Sequence, residues 1–357
     1  MEILILTGKF GMGHWSAALS LQEQLEREGH QVHVMDFFAY ALPETAPALY
    51  RGFDLLVTYG GGLYNLYHRM TRNAEGEVPL ASQFTRRVAG LLAATRPDVV
   101  VSTHPVCSGV VARYKAERAS ALPLVTCVTD ITSHSEWIHP GTDCYLVAGQ
   151  DVKDALVCKG VEAERVMVTG IPVRAQFTAE LRRRDGKRQL LIMGGGLGLM
   201  PRKDSFYEAL NALPDVHTTI LTGKNQKLYD RLAGKYENIE VVAFTDRVHE
   251  YMGRAHLMLS KPGGITTFEA IAARLPMLAW EPFLEQEREN ARFLVAHGLG
   301  RVVPKDEDDC LAAIRTCIHD DELLERMGRA MEEMNRTLCR QAIGSVVRQL
   351  AGREVCA

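Results

Sequence analysis

The chain opens on a run of apolar residues, Ile3 to Leu6, followed by a glycine-rich stretch, Gly8, Gly11 and Gly13. Residues 16–28 then place apolar side chains at helical spacing and stop at Gly29, and a second predicted strand follows at 32–36. A strand, a glycine turn, a helix and another strand joined by short links form the repeating unit of a parallel sheet. Residues 97–102, 124–129 and 144–148 are continuous apolar runs of the kind that suits strands covered on both faces. A second series starts near Gln189, with predicted strands at 190–193, 218–221, 240–242, 257–259 and 276–279. Gly194, Gly195 and Gly196 follow its first strand, and a further glycine turn, 261–264, precedes a predicted helix over 266–274.

Two strand–helix series, each opened by a glycine loop, predict an α/β chain of two doubly wound, Rossmann-like domains. The expected division is an N-terminal domain over 1–174, a linker over 175–188, a C-terminal domain over 189–335, and a terminal helical segment over 336–357 that packs back on the first domain. The stretch 182–188 is almost wholly charged, as a linker should be.

Composition narrows the function. At roughly 100–200 residues per domain, 357 residues suit two domains. A formal net charge of -3 gives no electrostatic basis for gripping duplex DNA, so no nucleic-acid partner is expected. No apolar run approaches the roughly 20 residues of a membrane-spanning helix, and the opening residues lack the basic region of a signal peptide. The eight cysteines form no C-x-x-C pair and read as reduced thiols in a cytoplasmic protein.

Candidate chemistry gathers at the predicted strand ends. Gly11 and Gly13 let the backbone turn and approach a ligand, but Ser16 stands where the dinucleotide fingerprint G-x-G-x-x-G needs its last glycine. His14, at a helix start facing the crevice of an open sheet, has the chemistry of a general base; the plain alternative is a capping histidine. Asp130 follows a strand end and is expected in the same crevice, to orient that imidazole or act as the base itself. His104, His134 and Trp137 stand in polar clusters at two further strand ends. No pair has the spacing of a zinc helix, so no metal is expected. The amides of Gly263, Gly264 and the first helical turn, with Ile265 and Thr266, suit a diphosphate. Glu269 suits the hydroxyls of a ribose, or else the helix dipole as a first-turn acid. Gln286, Glu287 and Asn290 carry the donors and acceptors that sugar hydroxyls need, on what is otherwise a solvated helix face.

Five groups of residues stand in one order: Gly11, Gly13, His14, Ala17 and Ala18; Val128 to Asp130; Thr169 to Arg174; Lys261 to Gly264 with Glu269; and Gln286, Glu287, Asn290 and Ala291. Together they resemble the monogalactosyl/diglucosyl-diacylglycerol synthase family. These are GT-B glycosyltransferases related to the peptidoglycan enzyme that adds N-acetylglucosamine to a lipid-linked muramyl peptide. The resemblance implies two domains facing across a cleft. It also implies inverting transfer of glucose or galactose from a UDP-sugar to the hydroxyl of diacylglycerol or a related glycolipid, without a metal or other cofactor. By motif match, Gly194 to Gly196, Gly263 and Gly264 would face the diphosphate, Glu269 the ribose, and Gln286, Glu287 and Asn290 the hexose or phosphate. Phe244, Arg247 and Val248 would lie in the uracil loop. His14 would be the base and Asp130 the crevice aspartate. Met12 and Trp15 depart from the residues common in relatives.

Residues 64–96 carry five arginines against two glutamates. With the resemblance, Tyr64, Arg69, Arg72, Arg86 and Arg87 become candidates for contact with an anionic membrane surface, at the inner face of the cell membrane. The alternatives are a same-fold transferase with a soluble acceptor, a UDP-sugar 2-epimerase, and a UDP-sugar sensor that does not transfer.

Overall fold

A computed structural model of the chain describes residues 1–59, 62, 65, 81–177, 186–196, 198 and 200–352. It divides into two compact units. Unit 1 comprises Met1–Arg174, Leu284–Gln286 and Leu338–Ala357, and unit 2 comprises Ala175–Phe283 and Glu287–Thr337.

Unit 1 is built on a six-stranded parallel sheet: β1 (Glu2–Thr7), β2 (Gln31–Asp36), β3 (Val99–Ser102), β4 (Leu124–Cys127), β5 (Cys144–Val147) and β6 (Val166–Val168), in the order β2-β1-β3-β4-β5-β6. Its helices are α1 (Gly13–Arg27), α2 (Phe37–Ala41), α3 (Ala46–Tyr59), α4 (Ala81–Thr95), α5 (Pro105–Arg118) and α6 (Gln150–Cys158). Strand β1 shows why an unbroken apolar run is needed. Ile3 and Ile5 pack on one side of the sheet with Leu21 and Leu25 of α1, and Leu4 and Leu6 pack on the other with Phe37, Phe38, Phe84 and Val88. Successive strand residues alternate faces, so a strand covered twice has no polar position.

Unit 2 repeats the plan with β7 (Arg188–Met193), β8 (Val216–Leu221), β9 (Ile239–Val242), β10 (Leu257–Ser260), β11 (Met277–Trp280) and β12 (Gly300–Val303). Its parallel order is β12-β11-β10-β7-β8-β9. The helices are α7 (Asp204–Asn211), α8 (Gln226–Leu232), α9 (Val248–Arg254), α10 (Gly264–Ala272), α11 (Glu285–Ala296, its first two residues grouped with unit 1), α12 (Glu307–Ile318) and α13 (Asp321–Thr337). The order reverses at β7/β10, as it does at β1/β3 in unit 1. Such switch points open a crevice beyond the strands' carboxyl ends.

The last helix, α14 (Ala342–Gly352), belongs to unit 1. Its Ile343, Val346, Val347 and Leu350 join the core layer of Ile3 and Leu25. Arg348 pairs with Glu28 at 2.7 Å, and a side chain at Gly344 would strike the Glu28 carboxylate. Strands β6 and β12 were absent from the sequence expectation. The first has three residues, and the second shows an exposed middle at Arg301 and Val302, so neither reads as an apolar run.

Candidate functional site

In unit 1 the loop after β1 turns at Gly11, whose φ of 65° suits glycine, and enters α1 at Gly13. His14 is therefore the second helical residue. It does not cap the helix: the N-cap is Met12, which makes no side-chain bond. The loop is locked to β3 through hydroxyls. Thr103 Oγ1 lies 3.0 Å from the His14 carbonyl and 2.8 Å from Thr7 Oγ1. The Thr103 hydroxyl is the donor in both contacts, its one proton shared between the carbonyl and the Thr7 hydroxyl.

The His14 ring is set by Thr129, whose Oγ1 is 2.6 Å from Nδ1. Burial pushes the imidazole down to about 4, against a smaller upward pull from a hydrogen bond to the Thr103 backbone. The ring is thus neutral at physiological pH. His104 stands beside it, ring centroids 4.7 Å apart. Burial, and then the His14 charge, hold His104 well below the usual histidine range. His104 is the N-cap of α5: its Nδ1 accepts from the Val106 amide, so its proton sits on Nε2. His134 plays the same part for the short turn Ser135–Trp137, accepting from the Glu136 amide. Among the described residues, His104 and His134 are the histidines of this unit that cap helices.

Trp137 is buried, with its ring centroid 6.1 Å from that of His14, and its indole nitrogen meets no hydrogen-bond partner among the described residues. Asp130 makes itself felt at Glu136, whose carboxyl rises to about 7 through burial first and the Asp130 charge second. Thr129, which hydrogen-bonds the imidazole, is the residue immediately before Asp130. Thr103 and Thr129 stood in the sequence only as members of polar strand-end stretches, with nothing to single them out from their neighbours.

In unit 2 three loops converge at the carboxyl ends of β7, β8 and β10. Gly194 is buried, while Gly195 and Gly196 are exposed. Their carbonyls accept from the amides of Gly198 at 2.9 Å and Lys224 at 3.1 Å. A side chain at Gly198, φ 60°, would run into the Thr222 carbonyl. After β10, Gly263 is the N-cap of α10 and offers no side-chain cap. The amides of Gly264, Ile265 and Thr266, ahead of the first helical bond from Thr267 to the Gly263 carbonyl, meet no acceptor among the described residues. Bare amides at the positive end of a helix dipole suit an anion. Because α10 starts at Gly264, Glu269 lies in its second turn, and the first-turn dipole reading of that residue falls away.

Helix α11 is fastened to this loop. Asn290 Nδ2 donates to the Pro262 carbonyl at 2.9 Å, and Glu287 Oε1 meets Lys261 Nζ at 2.6 Å. Phe268 and Phe293 stack beneath, ring centroids 6.0 Å apart. Gln286 is half-buried. Phe244 stands exposed in the loop after β9, and Arg247 makes a two-pronged contact with Glu250 at the start of α9, where Val248 is the first residue.

Among the described residues, no group of three or more His, Cys, Asp or Glu is placed to hold a metal ion. No described helix is long and apolar enough to cross a membrane. Arg86 and Arg87 are exposed on α4, while Tyr64, Arg69 and Arg72 lie outside the described residues.

Residues 14–173 match the monogalactosyldiacylglycerol (MGDG) synthase family, and residues 190–340 match the glycosyltransferase family 28 C-terminal domain. Proteins named processive diacylglycerol beta-glucosyltransferase from Bacillus thuringiensis and Bacillus cereus are 29% identical over 353 residues, covering 94% of this chain and 90% of theirs. Among solved structures, Acinetobacter baumannii MurG aligns with a TM-score of 0.61 at 16% identity over 98% of both chains. The calicheamicin glycosyltransferase CalG4 aligns at 0.65 and 17% identity, over 99% of this chain and 98% of that one. These neighbours fix the GT-B fold. With the two family matches spanning most of its length, the chain belongs to the diacylglycerol-glycosylating glycosyltransferases that join an MGDG synthase domain to a family 28 C-terminal domain.

Proposed function

We propose that this enzyme moves a hexose, glucose in the first instance, from a UDP-sugar to the hydroxyl of diacylglycerol or its glycolipid product, with inversion at the anomeric carbon. The observation that carries the reading is the neutral His14 imidazole at the switch point of unit 1, with Nδ1 taken by Thr129. With Nδ1–H donating to the Thr129 hydroxyl, Nε2 is the nitrogen that receives the acceptor's proton as its oxygen bonds to the anomeric carbon. The bond from that carbon to the β-phosphate oxygen breaks, and UDP leaves with the electron pair.

Unit 2 supplies the donor side. The uncapped amides of Gly264 to Thr266 suit the diphosphate and stabilise the charge it gains on leaving, so the reaction needs no metal. Glu269 suits the ribose, Gln286, Glu287 and Asn290 the hexose, and Phe244 with Val248 the uracil. The acceptor and the β-linkage are supported by the names of the Bacillus relatives. Arg86 and Arg87, with the arginines that precede them in sequence, suit an anionic bilayer at the inner face of the cell membrane, each cation adding about 1 kcal/mol near the surface.

The test is incubation of the purified enzyme with UDP-glucose, UDP-galactose and UDP-N-acetylglucosamine, with and without diacylglycerol in anionic vesicles. Products are read by mass spectrometry and anomeric proton coupling. A β-hexosyl lipid supports the reading. An altered UDP-sugar formed without acceptor identifies an epimerase, and UDP-sugar binding with no product identifies a sensor.

A further inference from the structure

The ion pair between Lys261 and Glu287 sits where the charges of a bound donor would arrive. Lys261 precedes the uncapped start of α10, and its side chain is 29% exposed. Glu287 is 10% exposed and lies 2.6 Å from it across from α11. The Asn290 bond to the Pro262 carbonyl, one residue from Lys261 and three from Glu287, ties the two elements together. Left as it stands, the pair spends Lys261's charge on a neighbouring carboxylate, three residues from helix amides that also want an anion.

We propose that donor binding exchanges this pair: the donor's diphosphate takes Lys261 from Glu287, and the released carboxylate accepts a hydroxyl of the hexose. A diphosphate carries more negative charge than one carboxylate and can meet the ammonium and the helix amides together. A buried carboxylate stripped of its cation must find another donor, and a hexose hydroxyl supplies one. The whole UDP-hexose satisfies both halves of the exchange. UDP alone takes Lys261 and strands Glu287, so the pair discriminates against product and helps expel it. This inference rests on the reading of unit 2 as the donor half.

The test is UDP binding by calorimetry in the full-length enzyme, alongside turnover with UDP-glucose, for Glu287→Gln, Lys261→Met and the double variant. Thermal unfolding verifies that each is folded. In Glu287→Gln, UDP should bind about tenfold tighter, because Lys261 no longer has to leave a carboxylate, while kcat/KM for the donor falls about tenfold or more. In Lys261→Met, UDP should bind weaker, and adding Glu287→Gln to it should yield no gain. Unchanged or weaker UDP binding in Glu287→Gln, or the same gain with and without Lys261, overturns the exchange. If that variant fails to fold, Glu287→Asp replaces it, and its shorter reach should tighten UDP in the same direction. Absence of UDP binding to the wild-type enzyme overturns the donor reading instead.

Discussion

Both units use one device, a strand, a glycine loop and a helix that begins with glycine, yet the second helical residue differs. Helix α1 starts Gly13, His14, and helix α10 starts Gly264, Ile265. In unit 1 that position carries an imidazole, held by Thr129 and kept neutral by burial. In unit 2 it carries an apolar side chain, buried so that only backbone amides remain to meet a ligand. The same plan of strand, glycine loop and helix therefore sets a polar ring at the helix start in one unit and bare backbone amides in the other, behind N-caps of different backbone conformation. A shared plan does not imply shared chemistry.

The largest expected effect breaks the comparison at His14. His14→Gly should lower kcat/KM by about 10²–10⁴, the usual range for losing a general base, while calorimetric UDP affinity stays within twofold of wild type. A loss of UDP affinity would place the imidazole's role on the donor side.

Next comes the loop framework of unit 2. Gly198→Ala puts a side chain at positive φ against the Thr222 carbonyl and should cost about 2–4 kcal/mol. Thermal unfolding would register a drop of several degrees, and hydrogen exchange would localise the loss to β7 and β8. Unchanged stability would mean that the interlocked glycine loops are not a rigid frame.

A pH series sharpens the unit 1 half. His14 falls from 6.5 unfolded to about 4 folded. Between those values the unfolded chain binds a proton that the folded one refuses, so stability is fully present above about pH 6.5 and declines toward pH 4. His104 is depressed too and adds to the slope in the same direction. His14→Asn should flatten the decline measured by denaturant titration. A slope that is unaltered would show that the ring is not buried neutral.

The smallest effect concerns the membrane. Arg86→Ala and Arg87→Ala should each weaken sedimentation with anionic vesicles by roughly fivefold, about 1 kcal/mol per cation, and leave binding to neutral vesicles unaltered. An equal loss on both kinds of vesicle would point to fold damage rather than charge.

Most of the frame was legible in the sequence because buried parallel strands are unbroken apolar runs and glycine loops punctuate them. Ten of the twelve strands announced themselves that way. Strand β12 did not, because an edge strand carries exposed residues such as Arg301. His14 was legible as the residue after a glycine turn. Its setting was not: Thr129 lies 115 residues away, and no periodicity links them. The Lys261–Glu287 pair was hidden for the same reason, since it depends on how α11 packs against the preceding loop. Glu269 was legible as a polar residue in an apolar helix, but its turn was misread by the two residues that Gly264 and Ile265 add to α10.

The central claim is that unit 1 contributes a proton acceptor at His14 and nothing else essential at that position. Chemical rescue tests it most directly: turnover of His14→Gly is measured with added imidazole and with substituted imidazoles of differing basicity. The account predicts that imidazole restores activity in proportion to its concentration, with the rate rising with the rescuer's basicity. Failure of every imidazole to raise the rate, or a His14→Gly enzyme that already works within tenfold of wild type, would contradict it.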